Sequence, residues 1–328
     1  MTYLKDYLPY LFGNKVGQKP VLPEILYMND LSFEEKLMFT TLKGEHNKFF
    51  HGLNLFELSE AERFHLINFY QFFDGKIKSE IDAKLETEKK FYKDALSFDL
   101  LGQKGVQELL NFSNEKLTIF VGLRKNREQL GRLVIRKANG EMFRKPNGKI
   151  WSIPVLCLSS RGLSFHHTNG FTPCGVYEVN GVMPKADKEN EFGQFRRLIV
   201  DFIPASNNEE LLKSYLPMGH FQRHWWKQSV LARSLARKFL RIHGTGMVNK
   251  KFFSSYYPLV PTSGCIATNE VNTFWKKIHD QRKLLDALMK ASELEVKFEN
   301  EEKIQALLYV FEIDDQKRRV GLKDLGLK

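Results

Sequence analysis

The residues whose types and order best suit covalent chemistry are His243-Gly244-Thr245 and, 22 residues beyond the histidine, the Cys265 of Thr262-Ser263-Gly264-Cys265-Ile266. A cysteine becomes a strong nucleophile when a base takes its proton, and an imidazole is the usual partner. Glycines beside both residues let backbone amides approach a reacting carbonyl and hold the oxyanion that forms there. Cys265 is expected in a glycine-flanked turn before a helix, whose N-terminal dipole would favour the thiolate. A lone Cys and a lone His prove little by themselves, because most free cysteines are buried apolar residues.

Other clusters carry less chemistry. His220 and His224 are four residues apart and Trp225-Trp226 follows, but no Glu or Cys is placed to complete a metal site. An insert with aromatic packing, and no metal, is expected there. His166-His167 precede Thr172-Pro173; adjacent histidines on a strand face opposite ways, so one of them would line the site. Cys157 and Cys174 read as core or strand positions, with Cys174 a redox partner for Cys265 only if the two approach. Arg233, Arg237, Lys238 and Arg241 follow at near-helical spacing. They read as a solvated helix face.

The elements that must position these residues change character along the chain. The first ~125 residues read as helices. Ser32/Glu35 and Ser59/Glu62 match capping boxes ahead of aromatic-rich runs, and Asp74-Gly75 reads as a stop. From about Leu130 the texture is that of strands: 133–135, 151–158, 175–179 and 198–203 are short β-branched or aromatic runs. They are punctuated by Asn139-Gly140, Pro146-Asn147-Gly148, Asn169-Gly170 and Asn180-Gly181, which are hairpin signals. Residues 205–240 read as a partly helical insertion, 270–292 as a helix and 306–313 as a last strand. The expected class is α+β: a helical N-terminal region (1–127), a mostly antiparallel β domain with helical insertions (128–314) and a charged tail (315–328).

Composition sets the bounds. The chain has 328 residues, 42% hydrophobic and 27% charged, with 27 Phe, 11 Tyr and 4 Trp, enough for about two domains with real cores. Three cysteines exclude a disulfide-dense scaffold. No apolar run approaches the ~20 residues of a membrane span, and no export signal is readable near the first residues. The net charge is +11, concentrated in two bands: residues 121–150 hold 9 basic and 2 acidic side chains, and residues 221–250 hold 7 basic and none acidic. Such bands attract anionic partners. With no recognition motif, nucleic acid is not expected among them.

The paired motif resembles that of the L,D-transpeptidase catalytic domain family, which shows His-Gly-Thr on a strand and then a Ser/Thr-x-Gly-Cys-Ile turn. Thr172-Pro173-Cys174-Gly175-Val176-Tyr177 is similar to an element preceding that pair in the family, and the 133–136 strand resembles its opening. The resemblance covers about 130–314. It implies cysteine acyl transfer on peptidoglycan stem peptides, in the periplasm or cell wall. Cys265 would be the nucleophile and His243 the base, with Gly244 orienting the imidazole through its carbonyl. Gly264, Ser263, Thr245 and Thr262 would serve oxyanion and substrate binding. A small amine acceptor gives transpeptidation, water gives carboxypeptidase cleavage, and no cofactor is required. Three features depart from the family: Ser263 stands where many members have a second His, Ala267 where a polar residue commonly follows Cys-Ile, and the His–Cys spacing is longer, the added 250–257 stretch being expected as a loop over the cleft. A non-catalytic cell-wall binding protein keeping the fold, and a basic nucleic-acid binder, are the alternatives.

Overall fold

The computed structural model of the chain describes residues 53–203, 209–272 and 277–327, with scattered positions between 32 and 50. The Ser32/Glu35 capping box and the reading of the first residues lie outside the described residues. Two compact units are formed, Met1–Lys90 and Phe91–Lys328.

In the first unit, α1 (Glu60–Asn68) starts at Ser59, whose hydroxyl accepts from the Glu62 amide while the Glu62 carboxylate accepts from the Ser59 amide. This is the capping box visible in the sequence. Asp74 does more than stop a helix: its carboxylate accepts from the Ile77 amide and caps α2 (Gly75–Leu96). Leu66, Phe69, Phe73, Ile77 and Ile81 bury together with Leu37 and Phe50 as this unit's core.

The second unit is built on a mixed nine-stranded sheet. Its strands are β1 (Thr118–Arg124), β2 (Gly131–Arg136), β3 (Ser152–Val155), β4 (Gly175–Val182), β5 (Leu198–Phe202), β6 (Leu240–Thr245), β7 (Ile266–Asn272), β8 (Lys277–His279) and β9 (Gln305–Asp314), in the order β3-β2-β1-β9-β4-β5-β6-β7-β8. β1 and β9 pair in parallel, as do β6 and β7; the other neighbours are antiparallel. The helices are α3 (Gly102–Asn111), α4 (Glu189–Phe192), α5 (Glu209–Ser214), α6 (Lys227–Ser234) and α7 (Asp280–Ala291). Among the described residues no helix is long and apolar enough to cross a membrane.

Period-two alternation assigns the two faces. On β9, Ala306, Leu308 and Val310 join one core with Leu284, Leu285 and Leu288 of α7. Leu307, Tyr309 and Phe311 join the other with Val106 of α3 and the Trp225-Trp226 pair.

Several expectations are corrected. β1 lies before position 127 yet belongs to the sheet, so the helical N-terminal region ends earlier than its sequence texture suggests. The tail is part of the same unit: Val320 and Leu325 are fully buried, and Asp324 pairs with Arg124. Asn139-Gly140 and Asn147-Gly148 do close turns. Asn180-Gly181 instead interrupts the β4–β5 register as a bulge, with Gly181 at φ +69°. The helix expected over 270–292 begins only at Asp280.

Part of the basic bands turns inward. Arg124 pairs with Asp314 and Asp324, Arg127 with Glu312, and Arg136 donates to the Leu110 carbonyl, all three guanidiniums being buried. A buried charge needs such partners: Arg124 ties β1 to the C-terminal segment, Arg127 pairs with β9 and Arg136 holds the end of α3, so these three do not attract anything from solvent.

Candidate active site

β6 alternates Leu240 and Ile242 toward the α7 core with Arg241 and His243 on the opposite face. β7 runs parallel to it, with Ile242 opposite Ile266 and His243 opposite Ala267. Extending that register by one residue sets Cys265 beside Arg241. Cys265 and His243 are therefore diagonal neighbours on one face, with Cα atoms about 8 Å apart by strand spacing and rise.

The helix expected after Cys265 is not there: Ile266 opens β7, so no helix dipole acts on the thiol. The turn before it is fixed by other means. Gly264 has φ +101°, and a Cβ there would meet Arg237 Nη2 at 2.4 Å and the Gly170 carbonyl at 2.6 Å, so only glycine fits. Thr172 Oγ1 donates to the Gly264 carbonyl at 2.9 Å, and Thr262 Oγ1 to the Cys265 carbonyl at 2.7 Å. Thr262 thus braces the turn from its second shell of contacts, and its hydroxyl is already engaged. Thr245 is engaged too, donating to the Met247 carbonyl at 3.3 Å. Ser263 is exposed.

His243 is 2% exposed, and its Nδ1 lies 2.6 Å from the Gly244 carbonyl oxygen. A carbonyl only accepts, so the proton sits on Nδ1 and Nε2 is left with its lone pair. Burial lowers the imidazole pKa to about 4, the Gly244 bond opposing and the Arg197 charge reinforcing the drop. Burial also raises the Cys265 thiol, against the pull of the Arg241 amide and the Arg241, Arg237 and Arg197 charges. The resting pair is therefore a neutral thiol and a neutral base. Sγ contacts the Phe239 carbonyl at 3.9 Å, and no described hydrogen bond joins it to His243. In resting enzymes such bonds are often made only when substrate is bound.

Gly244 is required by its other face. A Cβ there would lie 2.0 Å from Glu270 Oε1. The Glu270 carboxyl is 5% exposed, accepts from the Gln194 amide at 2.9 Å, and has its pKa raised by burial to about 7. It anchors the segment that follows α4, and Phe192 of α4 sets its ring against the His243 imidazole, centroids 5.5 Å apart. Neither Phe192 nor Glu270 stands out in the sequence; both act through contacts across strands.

The remaining candidates find structural roles. His220 Nε2 faces the Gly105 carbonyl at 3.1 Å and its Nδ1 accepts from Trp225 Nε1, while His224 Nδ1 lies 3.0 Å from Ser97 Oγ. Both rings are engaged in packing and hydrogen bonding. His166 and His167 sit in a turn, not on a strand, with ring centroids 4.3 Å apart. Cys174 accepts from Arg127 Nη2 at 3.2 Å, and burial raises both its thiol and that of Cys157. The arginine stripe is not a solvated helix face. Arg233 donates to the Ile203 carbonyl at the end of α6, Arg237 is buried and donates to the carbonyls of Phe165, Gly170 and Phe171, and Arg241 lies on β6. A cavity of about 530 Å³ is lined by Phe98, Arg127, Phe165, Phe171 and Gln228 among others; neither Cys265 nor His243 lines it.

No protein-family model, no curated protein and no solved structure matches the chain.

Proposed function

We propose that this chain is a cysteine acyl-transfer enzyme of the L,D-transpeptidase kind, acting on the stem peptides of peptidoglycan. The observation that carries the reading is the parallel β6–β7 register, which sets His243 and Cys265 on one face with the imidazole proton committed to the Gly244 carbonyl. The motif resemblance supplies the substrate class.

In this reading Nε2 takes the thiol proton as Sγ attacks the scissile carbonyl, and amides of the 264–265 turn hold the oxyanion. The tetrahedral adduct collapses as the imidazolium gives its proton to the departing amine, leaving a thioester on Cys265. An amine acceptor or water then attacks, losing a proton to Nε2. Collapse of the second adduct returns the proton to sulfur and releases the new amide or the acid. A neutral resting pair suits this route, because the base is unprotonated over most of the working pH range.

The test is incubation with tetrapeptide muropeptides followed by mass spectrometry. Crosslinked or trimmed products that vanish in Cys265→Ala are expected. Unchanged muropeptides that still bind the protein would replace the enzyme with a cell-wall binding protein.

A further inference from the structure

Two guanidiniums share the thiol's face of the sheet, and among the described residues neither forms an ion pair with a carboxylate. β5 pairs antiparallel with β6, Leu198 opposite Ile242 and Ile199 opposite Arg241. Arg197, one residue before Leu198, is thus placed beside His243. Two rows cross the strands: Arg197, His243 and Ala267 in one, Ile199, Arg241 and Cys265 in the next. The catalytic pair is flanked by positive charge on each row.

The two side chains are half-buried, and the charge of Arg197 bears on Arg241. Arg197 Nε is buried with no hydrogen-bond partner, and its guanidinium lies 4.7 Å above the Phe192 ring, which in turn abuts His243. Arg241 gives one nitrogen to the Leu240 carbonyl at 2.6 Å. Among the described residues no carboxylate pairs with either. Asp201, on the same face of β5, adds a favourable charge to Arg241, but it is exposed, bonded by Asn180 and makes no ion pair. Arg237 differs: three backbone carbonyls occupy it, and its work is to hold the turn.

We propose that Arg197 and Arg241 form a carboxylate-binding subsite beside Cys265, selecting acyl donors that carry a carboxylate close to the bond attacked. The inference rests on the acyl-transfer reading above. Like charges held together with no paired carboxylate are unfavourable until an anion lies between them, and guanidinium is the group best matched to a carboxylate. Ala267 cannot serve, being fully buried against Leu156 and Leu259. The subsite therefore comes from Arg241 on β6 and Arg197 just before β5, not from β7 itself.

The experiment compares alkylation of Cys265 by iodoacetate, an anion, with that by iodoacetamide, its neutral counterpart, in the full-length protein. Modification is read on the Cys265 peptide by mass spectrometry. The ratio of the two rates cancels changes in thiol acidity and is referred to glutathione. The wild-type ratio is expected about tenfold above that of the free thiol, and Arg197→Gln or Arg241→Gln to lower it by about 3–10-fold each, on the scale of one partly screened charge contact. Arg197→Lys should retain most of the ratio, which a packing role would not explain. A wild-type ratio equal to glutathione's, or ratios unchanged in both Gln variants, overturns the subsite. A second arm offers muropeptides with the terminal carboxylate free or amidated. Anion selectivity without muropeptide processing keeps the subsite and removes the peptidoglycan reading. Processing that ignores amidation, with no selectivity in the alkylation ratio, keeps that reading and removes the subsite.

Discussion

Glu270→Gln should make stability rise more steeply with pH than it does in the wild type. Two buried groups on and beside β6 titrate in opposite senses. His243 falls from its ordinary 6.5 to about 4, so the unfolded chain binds more protons between those values and stability rises with pH across them. Glu270 climbs from 4.5 to about 7, so the native state binds more protons there and stability falls with pH. His243 is 2% and Glu270 5% exposed, so each displacement carries about 3 kcal/mol in full. In the wild type the two oppose each other between pH 4.5 and 6.5. Glu270→Gln removes the falling part and should gain about 2–3 kcal/mol relative to wild type on going from pH 4.5 to 6.5. His243→Gln should lose a similar amount. All four tryptophans fall in the second unit, so urea unfolding followed by tryptophan fluorescence at pH 4.5, 5.5 and 6.5 reads the relevant unit. Variants whose pH dependence parallels the wild type would refute the assignment of these protonation states.

The same lowered imidazole places the acid limb of Cys265 acylation near pH 4 rather than 6.5; at pH 5 the rate should remain above four-fifths of its plateau, and a midpoint near 6.5 would contradict a buried neutral base. Gly264→Ala should destabilise by at least about 2 kcal/mol in urea titration, because the left-handed backbone and the contact with Arg237 and the Gly170 carbonyl both oppose a Cβ. Arg237→Met should cost about 3 kcal/mol or more by the same titration, since three carbonyls lose their donor; a loss under about 0.5 kcal/mol would restore the solvated-face reading.

What the sequence makes legible is what depends on local periodicity and turn chemistry. The Ser59/Glu62 cap, the turns at Gly140 and Gly148 and the last strand are all of that kind. β1 is central and buried at every position, so it lacks the alternation that marks a half-exposed strand and merges with the helical texture before it. β7 is not read as a strand although Ile266, Thr268 and Val271 favour one: Ile266–Asn272 is short, and pairing with β6 is what holds it. The arginines at 233, 237 and 241 show near-helical spacing, but α6 ends at Ser234 and the spacing crosses into a strand. Of the site, His243, Cys265 and the glycines could be read from residue types. Arg197 and Glu270 could not, because what places them is pairing across β5, β6 and β7, nor could Phe192, which reaches His243 from α4.

The central claim is an acyl-enzyme on Cys265, and intact-mass spectrometry measures it directly. The protein is mixed with a carbapenem, an acylating probe suggested by the family resemblance, and compared with Cys265→Ala and His243→Gln. A single adduct is expected on the wild type, none on Cys265→Ala, and formation slowed by about 10²-fold or more on His243→Gln. An adduct of equal extent on Cys265→Ala, or an undiminished rate without the imidazole, would contradict it.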